Sequence, residues 1–394
     1  MTKSVFNPQL YRTGNELEFL LGGEPYFTAL LDLINAAQKV LFFQVYIFDE
    51  DETGRMVAEA LVEAAKRGVS IYMAVDSYGS KDLKRPFVAH LRQHGIHFRF
   101  FSPLPKQFYV LKLGRRLHNK AVVADFKDAL VGGINVADKY RGTAEEPPWL
   151  DFAVRVKGPV SYDLSLLCKR IHGSRYFRKN KKIAEQFEPE HFGEARARLS
   201  LNDWWRNKNN INTAYKSAFQ QAKESIIIVA SYFLPSRAVR RAIKYAARRG
   251  VNVIVMVPGE SDVKTAKRAV RYLYRWLSRN NIRIFEWGGS ILHGKLAVVD
   301  QKWVTIGSYN LNHISEYSSI EMNVESLDED FAAEVRNTLA GLREKCIPVP
   351  TDSFIRRNLV NRFLDWLSYV LSRWMMLFLF FLISREYRSK AKIG

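Results

Sequence analysis

Cysteine is scarce in this chain: Cys168 and Cys346 are the only two in 394 residues. They are too few for a disulfide framework and lack the CxxC or CxxC…H spacing of a structural zinc site. A reducing compartment and no metal or other cofactor are expected. The N-terminus, MTKSVFNPQLYRTGNELEF, has no continuous apolar segment of the secretory-signal type, so export by that route is not expected. Acidic residues are outnumbered, with 40 Asp and Glu against 60 Lys and Arg, leaving a formal net charge of +20. The partner is therefore expected to be anionic, and nucleic acid and an acidic membrane surface both qualify. Apolar residues are not lacking. At 47%, with 13% aromatics, they can offset the ordering entropy, which excludes a disordered chain and predicts two or three folded domains.

The last forty residues bear on the choice of partner. In residues 355 to 383, Leu359, Phe363, Trp366, Leu367, Val370 and Leu371 recur at helical spacing, opposite Asn358, Arg362, Asp365, Ser368 and Ser372. This predicts an amphipathic helix. From Trp374 to Ile383 the chain is apolar on every side, and Arg385, Arg388, Lys390 and Lys392 follow. A spanning helix needs about 20 apolar residues, roughly twice this block, and extending it back to Trp366 would place Arg373 near the middle. An interfacial or shallowly inserted anchor is expected, its cations on acidic headgroups. A core or dimer-interface helix and a single spanning helix are the alternatives.

The chain is internally duplicated. INAAQKVLFFQVYIF, residues 34 to 48, resembles FQQAKESIIIVASYF, residues 219 to 233, and each is followed by an alanine-rich basic helix and a second strand. Helices alternating with buried strands predict an α/β fold of sheets layered with helices. Further along, RLHNKAVVADFKDALVGGINVADKY matches ILHGKLAVVDQKWVTIGSYNLNHIS. His118 and His293, Lys120 and Lys295, Asp125 and Asp300, and Asn135 and Asn310 all share the spacing 293 − 118 = 175. The organisation read from this is a first repeat at 1–183, a linker at 184–212, a second repeat at 213–350, and a membrane-associating helix with a basic tail at 351–394.

Strand alternation points the His and the Lys of each His-x-Lys to one face. A His beside a fixed cation at a strand rim makes a poor core and a good anion site. Gly132, Gly133, Gly307 and the small Ser308 permit close approach of a ligand to the backbone, and Asn135 and Asn310 can donate hydrogen bonds to it. Two such half-sites facing each other supply two imidazoles, two ammonium groups and two amides. That set suits phosphoryl transfer to and from histidine, with one His as nucleophile and the other as general acid and then base. Lys120 and Lys295 would counter the anionic transition state without a metal. The other histidines, His90, His94, His97, His172, His191 and His313, have no such company.

The twice-occurring HxKxxxxD, followed by GGxN or GSxN, resembles the phospholipase D superfamily, with His118/Lys120/Asp125 and His293/Lys295/Asp300 as its two motifs. The resemblance runs from about Leu20 to Lys345. It implies a duplicated phospholipase D-like α/β sandwich with the active site between two pseudo-symmetric repeats, a phosphohistidine intermediate, no metal, and His118 as nucleophile with His293 protonating the leaving group. Asp125 and Asp300 look like supports at strand ends. Within the superfamily, QVYIFDEDETGR and AAKRGVSIYMAVDSYGS are similar to the bacterial cardiolipin synthases, as are PPWLDFAVRVKGP and MNVES. By that likeness Trp149, Asp151, Asn323 and Glu325 lie near the substrate. The N-terminal transmembrane pair of some of these synthases has no counterpart here.

RYFRKNKK at 175–182, WWRNKNN at 204–210 and KTAKRAVRYLYRWLSRN at 264–280 interleave cations with aromatics, which could track nucleic acid or lie on an anionic bilayer. FYVLKLGRRL at 108–117 leads straight into His118, and its apolar, cationic character suits a diacyl phospholipid better than DNA. The expected protein is a cardiolipin synthase-type phosphatidyltransferase. It would move a phosphatidyl group from phosphatidylglycerol to a second phospholipid and release glycerol. Hydrolysis to phosphatidic acid and a nuclease or phosphodiesterase are the alternatives. Its partner would be an anionic membrane containing phosphatidylglycerol and cardiolipin, at the cytoplasmic face of the cell membrane through the C-terminal helix. Nucleic acid is disfavoured, and the oligomeric state, a homodimer included, is open.

Overall fold

The computed structural model describes residues 4–103, 115–173, 187–203, 206, 208–312, 315–316, 319–350 and 358–390, with side chains described to Trp374 in the last segment. The stretches read above at 108–114 and 175–182, three residues of WWRNKNN (204, 205 and 207), the side chains of the apolar block beyond Trp374 and Lys392 lie outside the described residues.

The first half runs β1 (Arg12–Leu21), α1 (Glu24–Ala36), β2 (Val40–Val45), α2 (Glu52–Lys66), β3 (Ser70–Asp76), α3 (Arg85–Gln93), β4 (His97–Phe101), β5 (Arg116–Leu117), β6 (Lys120–Ala124), β7 (Asp128–Gly132), α4 (Asp138–Arg141), β8 (Phe152–Lys157) and α5 (Pro159–His172). The second runs β9 (Ala195–Asp203), β10 (Lys208–Asn209), α6 (Asn210–Gln221), β11 (Ser225–Ala230), α7 (Arg237–Arg248), β12 (Asn252–Pro258), α8 (Lys264–Ser278), β13 (Arg283–Trp287), β14 (Lys295–Val299), β15 (Trp303–Gly307), β16 (Ser319–Leu327), α9 (Glu329–Glu344) and β17 (Cys346–Pro348), followed by α10 (Leu359–Lys390). The α/β duplication expected from the sequence is what is observed.

Each half builds one mixed sheet with the same order. The first is β4-β3-β2-β6-β7-β8-β1, parallel through β2, β3 and β4 and antiparallel elsewhere. The second is β13-β12-β11-β14-β15-β16-β9, with β17 added on β13. Strands β2 and β3 are buried on nearly every residue, as continuous apolar runs such as VLFFQV require when both faces are covered. One face of the first sheet packs under α1, α2 and α3, and one face of the second under α6, α7 and α8. The inner faces enclose a third apolar layer with α5 and α9 between them, where Phe152, Leu164, Ile254, Leu296 and Val335 belong to one continuous core.

The stretch 184–212, expected to be a linker, is corrected. It contains β9, which pairs antiparallel with both β16 and β1 and so joins the two sheets. Its sequence ARARLSLND reads as polar because one face buries polar groups. Arg198 and Ser200 bond to Glu325 of β16, and the Asn202 amide donates to the carbonyls of Ser315 and Glu316. Polar side chains satisfied across a ladder carry no apolar periodicity to reveal the strand.

Asp125 and Asp300 are placed alike. Each follows the middle strand of its motif in a tight turn at positive φ, +49° and +51°, a region that Asp tolerates better than most residues. The Asp125 carboxylate accepts from the backbone N–H groups of Gln38, Lys39 and Val40. Asp300 accepts from those of Lys223, Glu224 and Ser225. Each therefore ties a motif hairpin to the start of the central strand of its own sheet.

Helix α10 lies along α8 with its amphipathy facing outward. Asp365 is buried 3.9 Å from Arg268, and Tyr369 lies tilted against Tyr272 at 4.7 Å between centroids. Phe363 and Trp374, 56% and 67% exposed, point away from the protein with Leu359 and Trp366. The aromatics of the 264–280 patch are thus used in packing: Leu273 and Tyr274 enter the core, and Tyr272 meets α10. Among the described residues, no helix is long and apolar enough to cross a membrane. Replacing Asp125 or Asp300 by Ala leaves three backbone donors without their charged acceptor. This is expected to cost about 3 kcal/mol, read as a lower urea midpoint at unchanged m-value.

Candidate active site

The two motif histidines meet because each half lends the other a strand end. Before His118, β5 pairs parallel with β16, Leu117 opposite Ile320, and the His118 N–H donates to the Ile320 carbonyl at 3.1 Å. The mirror arrangement precedes His293. Leu292 bridges Leu150 in parallel, and the N–H groups of His293 and Gly294 donate to the Leu150 carbonyl at 2.7 and 3.0 Å. One residue beyond each bridge stands a carboxylate. His118 Nδ1 lies 2.8 Å from Glu321 Oε2, and His293 Nδ1 lies 2.6 Å from Asp151 Oδ2. Each imidazole is therefore oriented by the opposite half. Since a carboxylate only accepts, each Nδ1 is the protonated nitrogen and Nε2 of the neutral ring carries the lone pair.

Local sequence sets the clearances. A Cβ on Gly133 would sit 2.2 Å from the Asp151 carboxylate, so glycine is required there. At the counterpart position Ser308 donates its hydroxyl to Glu321 Oε2 at 2.5 Å. Gly294 is required because a Cβ would strike the Phe152 ring at 2.2 Å. Gly133 and Ser308, which the sequence assigned to close approach of a ligand, instead admit the carboxylates.

Lys120 donates to the His118 carbonyl at 2.7 Å and lies over the Tyr46 ring. Lys295 bonds the His293 carbonyl, with its Nζ 2.9 Å from His293 Nδ1 and 3.8 Å from Asp151. Tyr46 flanks His118, and Tyr140 and Trp149 flank His293. His118 is 17% exposed and His293 only 9%, so His118 is the more accessible ring. Burial lowers the pKa of both imidazoles; Lys120 and Lys295 lower them further, against the carboxylates that raise them. Burial pushes Lys120 down to about 7 and lowers Lys295 as well. Two desolvated cations and two neutral imidazoles thus lie around one space, with the Asp151 and Glu321 carboxylates bonded behind the rings.

His118, Lys120, His293, Lys295, Trp149, Asp151 and Ser308 converge here. Others are placed differently. The Asn135 amide accepts from the Ile47 N–H and donates to the Tyr140 hydroxyl, so it serves the protein, and the Asn310 oxygen accepts from Ser231. Asn323 bonds Thr305 and the Tyr309 N–H, while Glu325 binds Arg198, Ser200 and Trp303. Neither is at the histidine pair. Glu321, which sequence reasoning missed, occupies the role expected of its neighbours. Its signal was present: Gly132 opposes Ala153 and Gly307 opposes Asn323, and 323 − 153 gives the same 170 as 321 − 151.

Two crossed histidine–carboxylate pairs between duplicated α/β halves define a two-motif phosphotransfer fold. A family model described as "Cardiolipin synthase, PLD-like domain" matches residues 30–146 and 215–343. Cardiolipin synthase B of Escherichia coli (strain K12) is 33% identical over 338 residues, covering 84% of this chain and 81% of that protein. Cardiolipin synthase 2 of Staphylococcus epidermidis is 28% identical over 373 residues, covering 93% and 76%. Among solved structures, a phosphatidylserine synthase from Haemophilus influenzae superimposes with a TM-score of 0.70 at 15% identity over 95% of this chain and 97% of its own, a likeness of fold. The chain belongs to the phospholipase D superfamily. Within it, it is a phosphatidyltransferase of the cardiolipin synthase-like kind.

If Asp151 holds the His293 tautomer, Asp151→Asn removes a charge that favours the imidazolium. The His293 titration then moves to still lower pH, read by NMR of histidine-labelled protein, and turnover falls by roughly 100-fold or more.

Proposed function

We propose that the protein makes cardiolipin from two phosphatidylglycerol molecules through a phosphatidyl-histidine on His118. The crossed imidazole pair carries the reading: one protonated Nδ1 per ring, held from the opposite half, leaves two Nε2 atoms to act on one phosphorus. The phosphodiester of the first lipid lies between Lys120 and Lys295, and its negative charge favours the imidazolium form of His293. His118 Nε2 attacks phosphorus, a P–N bond forms, and the P–O bond to glycerol breaks as His293 delivers its proton to the departing oxygen. Neutral His293 then takes the proton of an incoming hydroxyl, whose oxygen attacks phosphorus as the P–N bond breaks. The lysines offset charge on the equatorial oxygens at both steps.

The outward apolar face of α10 supports membrane attachment. Leu359, Phe363, Trp366 and Trp374 form a stripe that a soluble protein would bury, and the arginine- and lysine-bearing end of the same helix suits anionic headgroups. The protein would lie on the cytoplasmic face of the cell membrane with this stripe in the headgroup region.

Incubating the purified protein with phosphatidylglycerol and identifying the products by mass spectrometry tests the reaction. Cardiolipin with an equivalent of glycerol is expected; phosphatidic acid as the main product would mean a hydrolase, and untouched lipid with cleaved DNA a nuclease. The pH dependence has a definite sign. Lys120 is charged below about pH 7 and neutral above it, so kcat/KM should fall as pH rises through that value. In Lys120→Gln that alkaline limb should vanish at a lower plateau. For attachment, Phe363→Asp with Trp366→Asp is expected to weaken sedimentation with phosphatidylglycerol vesicles at least about tenfold without altering thermal unfolding.

A further inference from the structure

The duplicated site is symmetric in its chemistry but not at its rim. Strand β2 places Gln44 opposite Ala121, and β11 places Val229 opposite Leu296, so the counterpart of Tyr232 is Ile47. Only the second half carries a hydroxyl at this position. Tyr232 follows Ser231, whose N–H donates to the Gly294 carbonyl beside His293. Its hydroxyl lies 2.7 Å from both oxygens of Asp262, which is exposed.

A carboxylate here needs a reason. Asp262 stands two residues before α8, yet that helix has no side-chain cap, so the carboxylate is not spent on its N-terminus. Its partner Tyr232 adjoins Ser231, which bonds Gly294 next to His293, so the pair stands on the His293 side of the site. A negative group beside a phosphate-binding centre repels the phosphodiester itself. It can instead accept hydrogen bonds from neutral hydroxyls, and the Tyr232 hydroxyl holds it in one orientation.

We propose that Asp262, positioned by Tyr232, is the polyol-recognition element for the acceptor, binding a hydroxyl neighbouring the one that reacts. The assignment rests on the transferase reading above. One hydroxyl of a glycerol headgroup gives its proton to His293 and attacks phosphorus as the P–N bond to His118 breaks. A second hydroxyl is held by Asp262, so the headgroup arrives oriented. An alcohol with a single hydroxyl has nothing to offer this carboxylate, and water has no fixed orientation there.

The full-length protein, with phosphatidylglycerol as donor, is given deuterated glycerol and 1-propanol in competition. The labelled phosphatidylglycerol and the phosphatidylpropanol formed are measured together with phosphatidic acid. Wild type should favour glycerol over propanol, and Asp262→Asn and Tyr232→Phe should reduce that preference about tenfold or more while the share of phosphatidic acid rises. The preference is a ratio within one preparation, so loss of folded enzyme lowers both products and leaves it unmoved. An unchanged preference in both variants overturns the assignment. A wild-type enzyme that yields phosphatidic acid alone, with neither alcohol incorporated, overturns the transferase reading and this assignment with it.

Discussion

Each motif imidazole is held by a carboxylate that its own half does not possess. The His118–Glu321 and His293–Asp151 pairs mean that neither repeat is chemically complete alone, although each builds its own sheet and outer helical layer. Much of the structure can be read as the means of keeping that crossing in register. Strands β1 and β9 join the sheets, α5 and α9 fill the space between them, and two short parallel bridges, Leu117 to Ile320 and Leu150 to Leu292, fix the height at which each histidine meets its partner. An imidazole aimed by a bond at Nδ1 does not spend binding energy choosing a tautomer when substrate arrives.

The electrostatic character follows from the same burial. Lys120 and Lys295 are almost withdrawn from water, and the nearby Glu321 and Asp151 carboxylates offset part of the cost of their charge. Asp125 and Asp300 stand outside this group despite belonging to the motif. Their role is mechanical: six backbone N–H groups at the starts of β2 and β11 are tied to the turns that carry the histidine strands onward.

The sequence revealed what repeats within a strand and concealed what arises between strands. His118, Lys120, Asp125 and their partners at a spacing of 175 are local patterns, and the duplicated α/β fold followed from them. Glu321 was overlooked because its meaning depends on a neighbour 203 residues away, and because the intervening loop differs in length between repeats, breaking the 175 spacing to 170. Strand β9 was read as linker because Arg198, Ser200 and Asn202 are satisfied by buried polar partners, which erases the apolar alternation. Asn135 was read as a ligand donor because nothing in one dimension shows that Ile47 and Tyr140 already use it. The amphipathy of α10 was legible, but which face points outward was not. That is decided by Arg268 and Tyr272, which receive Asp365 and Tyr369.

The central claim is that His118, aimed from the other half, is the atom on which phosphorus rests between donor and acceptor. Acid-stable trapping of phosphohistidine is unfavourable, so the direct measurement is rapid alkaline quench of enzyme mixed with phosphatidylglycerol, followed by peptide mass spectrometry. The account predicts a phosphatidyl adduct on the His118 peptide, present in wild type, absent in His118→Ala, and accumulating in His293→Ala when a donor with a good leaving group bypasses the need for the acid. An adduct on His293 instead, or turnover undiminished in His118→Ala, would contradict it.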